Sequence, residues 1–452
     1  MRHFSTLLLL FLLLLVTACE KEPLVTPNIR PTITVDRSYN VNADEPFELT
    51  IVVSDPDGDA VSVSIENLPD WLDFNATSLL LAGTPTRDDA GEYDLKIIAN
   101  DGEEVTERNL ELTVIVQQTV EEQFTRFVRG EFLTSTQGMS GVSAALISPD
   151  GELVTATFGD ASPLNEDLEM NADLQFRVAS VSKTFTAALA LKLVEEGHFN
   201  LTDNIADYLD VSEMENGELI TIEQLLQHSS GLIDHLNMSS FYSTSNTEGE
   251  WTNDLIIDYA SKFNSLFTPG TDYEYSNTGI YLMGAVIESA LQQDLSTIFN
   301  EKLIEPLGLT QTFYDDYSDF GQQIDNLALN ARSYEYHPTA AGAAGAMVSS
   351  PQDVVRFSQQ LFSGNYLSPM NVDQMIQNYG GALGGDDYGL GTRLWEEFGI
   401  VHYGHTGSLM DYRSVMMYVP SEDISIAIST NDPHENWFDL VNNVLRLTAG
   451  IF

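Results

Sequence analysis

The sequence predicts a multidomain protein in which a small all-β sandwich precedes a larger α+β domain. Three observations carry that expectation: short period-two segments before residue 117, strand-like segments at both ends of the remaining chain, and helical patterns between those ends. Hydrophobic content of 43% and charged content of 19% suit globular domains, and 452 residues supply two or three of them.

The first residues read as an address. Arg2 supplies a positive start, Leu7 to Val16 an apolar run too short for a standard membrane span, and Val16-Thr17-Ala18 a small-residue cleavage site. Residues 1–18 are therefore expected to be a signal peptide. Cys19 follows and is the single cysteine, so no disulfide can form within one molecule. Residues 19–30 are polar with two prolines and no periodicity, which reads as a tether.

Residues 31–117 supply the sandwich. Pro31 to Val35, Phe47 to Val53, Val61 to Ile65, Tyr93 to Ala99 and Leu110 to Val116 are β-rich or alternate, with turn signals between them such as Asp55-Pro-Asp-Gly58 and Asn100-Asp-Gly102. Asp55, Asp57, Asp59 and Asp101 either converge on calcium or form turns at strand ends, and turn formation is the expected role. Gly58 is misplaced for an EF-hand loop. Trp71 is read as a core residue in preference to a sugar-stacking platform. A spacer or surface-binding module without chemistry of its own is expected here.

Residues 118–452 form the second domain. Phe124, Phe127 and Val128 have helical spacing, and Val142 to Ile147 and Leu153 to Phe158 read as strands around Pro149-Asp-Gly151. A helix is expected from near Ser180 to Glu195, stopping at Gly197, with others over Ile222 to Gln227, Leu255 to Phe263, Gly279 to Leu291 and Val354 to Phe362. Ser414 to Val419 and Ile424 to Ser429 look like strands, and Trp437 to Leu447 like a closing helix. One sheet is thus built from distant parts of the chain.

A formal net charge of −49 excludes nucleic acid as a partner, because phosphate binding needs a basic footprint. It suits a solvated surface facing a salty exterior.

Three short motifs carry the chemistry. Ser180 and Lys183 lie three apart, so a helix would bring the amine to the hydroxyl, and serine needs such a base to become nucleophilic. The bland alternative is an N-cap serine with a solvated lysine. With 37 serines and six lysines in the chain, one Ser-x-x-Lys alone proves little. Tyr275-Ser276-Asn277 falls on a loop before an apolar helix; Tyr275 can serve as a second base or proton relay once a neighbouring ammonium lowers its pKa, and Asn277 can bond both Lys183 and a substrate carbonyl. His405-Thr406-Gly407-Ser408 precedes a β-like run, where Gly407 permits close approach of a substrate and the Ser180 and Ser408 amides can hold an oxyanion. The eight histidines show no ligand spacing of the His-x-x-x-His kind, so no metal site is expected.

Taken in order, these motifs and their contexts resemble the penicillin-recognising serine hydrolases of the class C β-lactamase superfamily. The resemblance covers residues 121–452 and includes Arg177-Val-Ala-Ser-Val-Ser-Lys183, Leu225-Leu-Gln-His-Ser-Ser-Gly-Leu232, Pro306-Leu-Gly308 and Tyr403-Gly-His-Thr-Gly-Ser408. It implies a β-lactamase/transpeptidase-like fold, with an antiparallel sheet flanked by helices and a helical subdomain. It also implies Ser180 as nucleophile, Lys183 and Tyr275 as proton carriers, and no cofactor. His-Thr-Gly resembles the third motif of D-alanyl-D-alanine carboxypeptidases, and the Tyr388 to Trp395 segment resembles the strand that carries their carboxylate-binding arginine. Arg393 is accordingly the candidate clamp, the alternative being an ordinary surface arginine. Asp411 and Ala346 stand where relatives usually have glycine, which bears on peptide specificity.

Residues 31–117 resemble a bacterial Ig-like or cadherin-like module, through Leu68-Pro-Asp-Trp-Leu72, Gly83-Thr-Pro85 and Asp89-Ala-Gly-Glu-Tyr93. Val16-Thr17-Ala18-Cys19 resembles a lipobox, which implies acylation of Cys19 and a lipid anchor in the cell envelope. The expected function is hydrolysis of peptidoglycan-type peptides in the manner of a carboxypeptidase. Esters, β-lactams and D-amino-acid amides are alternative substrates, and an inert surface-binding lipoprotein with cell-wall or glycan contact is the alternative from another class.

Overall fold

The computed structural model of the chain describes residues 27–134, 141–162, 169–239, 241, 250–316, 328, 337–397, 399–431 and 442–447. The expected signal peptide, Cys19 and the tether up to residue 26 lie outside the described residues. Two units divide the chain, Met1–Gln118 and Thr119–Phe452.

In the first unit, alternation of apolar and polar residues builds the sandwich. Its strands are β1 (Thr32–Thr34), β2 (Ser38–Asn42), β3 (Phe47–Thr50), β4 (Val52–Ser54), β5 (Ser62–Glu66), β6 (Leu72–Asn75), β7 (Leu80–Gly83), β8 (Gly91–Asn100) and β9 (Val105–Ile115). They form sheets of order β2-β9-β8-β5 and β3-β7-β6, with β1 paired to β4. Leu95, Ile97, Leu110, Leu112 and Val114, at alternate positions, bury one face of the long β8/β9 hairpin, with Leu95 opposite Leu110. The expected run Phe47 to Val53 breaks at buried Ile51, so that β3 serves one sheet and β4 another. β2, β6 and β7 went unforeseen because they are short and take their pairing from neighbours. Gly83 is needed where β7 meets Trp71, since a Cβ there would sit 2.1 Å from the Trp71 carbonyl oxygen. Trp71 meets Phe47 and Tyr93 edge-on at 6.4 and 6.0 Å, as a core tryptophan should. The acidic residues are turn formers: Asp55 Oδ1 accepts the backbone N–H groups of Asp57, Gly58 and Asp59, and Asp101 Oδ1 those of Glu103 and Glu104.

The second unit begins with α1 (Val120–Thr134), β10 (Gly141–Ile147), β11 (Leu153–Gly159), β12 (Phe176–Arg177) and α2 (Ser182–Glu195). It continues through α3 (Ile222–Leu226), α4 (Asn253–Ala260), α5 (Asn277–Leu291), β13 (Phe313–Tyr314), β14 (Met347–Ser349) and α6 (Pro351–Phe362). Four strands follow: β15 (Arg393–Glu397), β16 (Ile400–Leu409), β17 (Tyr412–Val419) and β18 (Ile424–Thr430). The six-stranded antiparallel sheet has the order β11-β10-β18-β17-β16-β15, so Val142 of the first hairpin pairs with Thr430 near the other end of the chain. Both faces are covered, which is why Ser414 to Val419 reads as nearly continuous apolar sequence. Val415, Met417 and Val419 pack with Phe124 and Val128 of α1 and with Val444 and Leu445 of the helical residues 442–447, and Met416 and Tyr418 join the larger core built around α2 and α5. The first part of the expected closing helix, residues 437–441, lies outside the described residues.

Helices α4, α5 and α6 start two or three residues earlier than apolar periodicity suggests, because their caps are polar: the Thr252, Ser276 and Ser350 side chains accept backbone N–H groups there. Helix α3 starts at Ile222 as expected, with Thr221 and Gln224 forming a reciprocal capping box. Helix α2 is buried almost all round, and Lys183 sits inside it with no exposed surface.

Candidate active site

A buried lysine must be desolvated, so its surroundings decide what it does. Lys183 Nζ lies 3.0 Å from Ser180 Oγ, 2.7 Å from Asn277 Oδ1 and 2.8 Å from the Ala344 carbonyl oxygen. A neutral amine with its two N–H groups on the latter two oxygens aims its lone pair at the serine hydroxyl. Burial drives the Lys183 pKa down to about 7; the Asp234 carboxylate pulls it up, and the Arg393 guanidinium adds to the depression. Despite the acidic composition, a substantial fraction of this amine is therefore neutral at neutral pH, because desolvation outweighs the pull of Asp234.

Ser180 occupies a short 3-10 turn, Ala179–Val181, that leads into α2. The cap position belongs to Val181, without a side-chain cap bond, so the Ser180 hydroxyl is directed to Lys183 and does not act as a helix cap. Ala179 has φ of 51°, a left-handed conformation that strains a residue carrying a Cβ and is held here by the packing on both sides. One of those sides is Gly407, where a Cβ would fall 2.2 Å from the Val178 carbonyl oxygen and 3.1 Å from Ala179 Cβ. Glycine there lets the sheet edge close on the serine turn.

Tyr275-Ser276-Asn277 straddles a helix start rather than lying wholly on a loop. Ser276 is the N-cap of α5 and Asn277 its first residue. Asn277 Nδ2 faces both oxygens of Asp234, at 3.0 and 2.9 Å. The Tyr275 ring lies 5.1 Å from Lys183 Nζ, and its hydroxyl bonds Ser180. Burial pushes the Tyr275 pKa up, against the lowering effects of Ser180 and Arg393. The expectation that a neighbouring ammonium would make Tyr275 a second base is thus corrected: the phenol keeps its proton and is fit to pass one on, while Lys183 is the group poised to take one.

His405, Thr406, Gly407 and Ser408 lie inside β16, not before a strand. His405 is fully enclosed, donating from Nδ1 to the Thr406 carbonyl at 2.6 Å and accepting at Nε2 from the Tyr388 hydroxyl at 3.1 Å. Burial, with Arg393 and Lys183 nearby, holds its pKa well below the usual histidine range. Arg393 opens β15, bonds Asp386 at 3.2 Å, and places its guanidinium carbon 5.6 Å from the Tyr275 ring centre. Its Nε is buried without a partner among the described residues.

Sequence reasoning missed four contributors. His228 accepts the Ser276 N–H at Nδ1, and its ring lies tilted at 4.3 and 4.6 Å from the rings of Tyr275 and Tyr388; burial, with Lys183 and Arg393 nearby, holds its pKa well below the usual histidine range. It lies in the quoted Leu225 to Leu232 segment, which received no role. Asp234 lies six residues after that histidine and two past the quoted segment. Tyr388 and the Ala344 carbonyl had no signal of their own. Cys19 lies outside the described residues.

Residues 115–451, which hold this site, match a family whose description is Beta-lactamase. The chain belongs to the beta-lactamase family. A second family, described as "Putative Ig domain", matches residues 30–117. Among beta-lactamase family relatives, the chain is 26% identical over 307 residues to penicillin-binding protein 4 of Amycolatopsis lactamdurans, covering 62% of this chain and 79% of that one. It is 25% identical over 248 residues to the D-alanyl-D-alanine-carboxypeptidase/endopeptidase AmpH of Escherichia coli K12, covering 53% of this chain and 62%, under two thirds, of that one. Solved structures of the same architecture include a D-stereospecific amidohydrolase from Streptomyces, with TM-score 0.60, 25% identity and coverage of 68% and 95%. They also include the D-amino acid amidase of Ochrobactrum anthropi SV3 with L-phenylalanine, with TM-score 0.63, 25% identity and coverage of 72% and 98%.

Proposed function

We propose that the chain is a serine hydrolase working through an acyl-enzyme, with peptidoglycan-type peptides ending in a free carboxylate as substrates. The observation that carries this reading is the Lys183 amine, buried, held to near-neutral pKa and aimed at Ser180 Oγ. Lys183 takes the Ser180 proton as Oγ attacks the carbonyl carbon, and Tyr275 relays a proton to the leaving amine. The Ser180 and Ser408 amides hold the oxyanion, Thr406 and Gly407 line the strand edge along the substrate, and the free N–H of Asn277 takes an acyl-side carbonyl. Water then releases the acyl group from Ser180. The orphaned Nε of Arg393 supports a terminal carboxylate as the group recognised, since a planar fork of donors suits it.

A second reading, hydrolysis of D-amino-acid amides, is favoured by the likeness to D-stereospecific amidases, which covers nearly the whole of those chains. We further propose that the leader and Cys19 make the protein an exported, lipid-anchored component of the cell envelope. The Ig-like unit then acts as spacer or cell-wall contact, a reading supported by the lipobox-like sequence.

Intact-protein mass spectrometry after exposure to benzylpenicillin tests the acyl-enzyme. A stable adduct lost in Ser180→Ala supports the carboxypeptidase-like reading, and rapid drug turnover points to a β-lactamase. Amide hydrolysis without an adduct favours the amidase, and absence of any Ser180-dependent chemistry on peptides, amides and esters overturns the proposal.

A further inference from the structure

The lone pair of Lys183 faces Ser180 only if the Asn277 amide keeps its oxygen on the lysine. Turned over, that amide would set N–H against the N–H groups of Lys183 and oxygen against the Asp234 carboxylate. A carboxylate at 234 therefore selects one orientation, which a neutral amide at the same place would not. Both Asp234 oxygens lie at hydrogen-bond distance from the same Asn277 nitrogen, so they share its N–H donation. Asp234 is itself held. It caps the short turn His235–Asn237, its Oδ1 accepting the Leu236 N–H at 3.1 Å and its Oδ2 the Asn237 side-chain N–H at 2.6 Å. Each oxygen thus already carries two donors, which leaves it no capacity to recruit a substrate group directly.

The charged and titratable groups that face Lys183 come from several elements. They are Asp234 and His235 from the capped turn, His228 from the segment after α3, Tyr275 before α5, Arg393 of β15 and His405 of β16. His228, His235 and His405 are held neutral by burial, and Tyr275 is held protonated by the same effect. Asp234 and Arg393 are left as opposed charges on the amine.

We propose that Asp234 is a positioning residue of this site, whose carboxylate locks the Asn277 amide and thereby the lone pair of Lys183 toward Ser180 Oγ. The proposal rests on the reading of Lys183 as the base that activates Ser180. Its charge also sets where Lys183 titrates, opposing the effects of burial and Arg393.

The test follows Lys183 by NMR of protein labelled at lysine Cε, with the signal assigned by loss in Lys183→Arg and folding checked by circular dichroism. The wild-type midpoint is expected near pH 7. In Asp234→Asn it moves down, kcat falls at least tenfold with KM little changed, and the acid limb of kcat/KM moves with the NMR midpoint. Asp234→Glu keeps the charge and restores the midpoint. An unmoved Lys183 midpoint in Asp234→Asn overturns the proposal, as does a lowered rate with an unmoved acid limb, which is what a merely structural role would produce. If Asp234→Asn fails to fold, Asp234→Glu decides: a midpoint below the wild-type value would refute charge control. A midpoint that shifts in Asp234→Asn, where the wild-type protein turns over no substrate, would leave the positioning intact and remove the hydrolase reading.

Discussion

Lys183 is the residue on which the site depends, and it burdens the fold that holds it. Its pKa falls from 10.5 to about 7 on folding because burial removes the hydration of the ammonium. Between those values the unfolded chain binds a proton that the folded chain lacks, so stability rises with pH across that window, and the burden is greatest below pH 7. Lys183→Met should therefore raise the melting temperature relative to wild type by more at pH 6 than at pH 9. Differential scanning calorimetry at the two pH values checks this, and an equal difference at both would show that the lysine is not depressed. Ser180 and Lys183 were legible because three-residue spacing has a direct geometric meaning on a helix. Tyr275 was legible as a residue but not as an acid or base, because that choice depends on how completely neighbours exclude water. Asp234 was not legible at all: its partner, Asn277, lies 43 positions away.

At the scale of elements, the site is a junction between the 3-10 turn before α2, the capped start of α5 and the edge formed by β15 and β16. Gly407 sets the distance between two of these, since a methyl group there would stand 2.2 Å from the Val178 carbonyl and 2.3 Å from Ser414 Oγ. Ser414 Oγ donates to that same carbonyl at 2.6 Å, which pins the turn to β17 as well. Gly407→Ala should push the strand outward and lower the acylation rate by about 10²-fold, the effect expected of a misplacement near 1 Å. Stopped-flow acylation with a chromogenic β-lactam or ester measures this; a loss under threefold would mean the strand edge does not set the oxyanion site. Periodicity placed the start of α3 correctly and those of α4, α5 and α6 two or three residues late, because the capping Thr252, Ser276 and Ser350 carry no apolar signal. The short strands β2, β6 and β7 were invisible because segments of four or five residues are too brief for a period to show.

For the whole molecule, the two units each have their own core, one around Leu95, Ile97 and Leu110, the other around α2 and α5. A fragment spanning residues 119–452 should unfold cooperatively on its own and keep ester or amide turnover within about twofold of the full chain. Loss of turnover in a folded fragment would assign the Ig-like unit a part in catalysis. The sequence by itself determined the order of the units, the period-two and helical stretches, the acidic surface and the three motifs, because these follow from local spacing and composition. Only the tertiary structure decided which groups meet the lysine, that its charge is suppressed despite the acidic surface, and that Tyr275 keeps its proton. Those outcomes depend on distances between residues far apart in the chain and on the exclusion of water, and neither is written in local sequence.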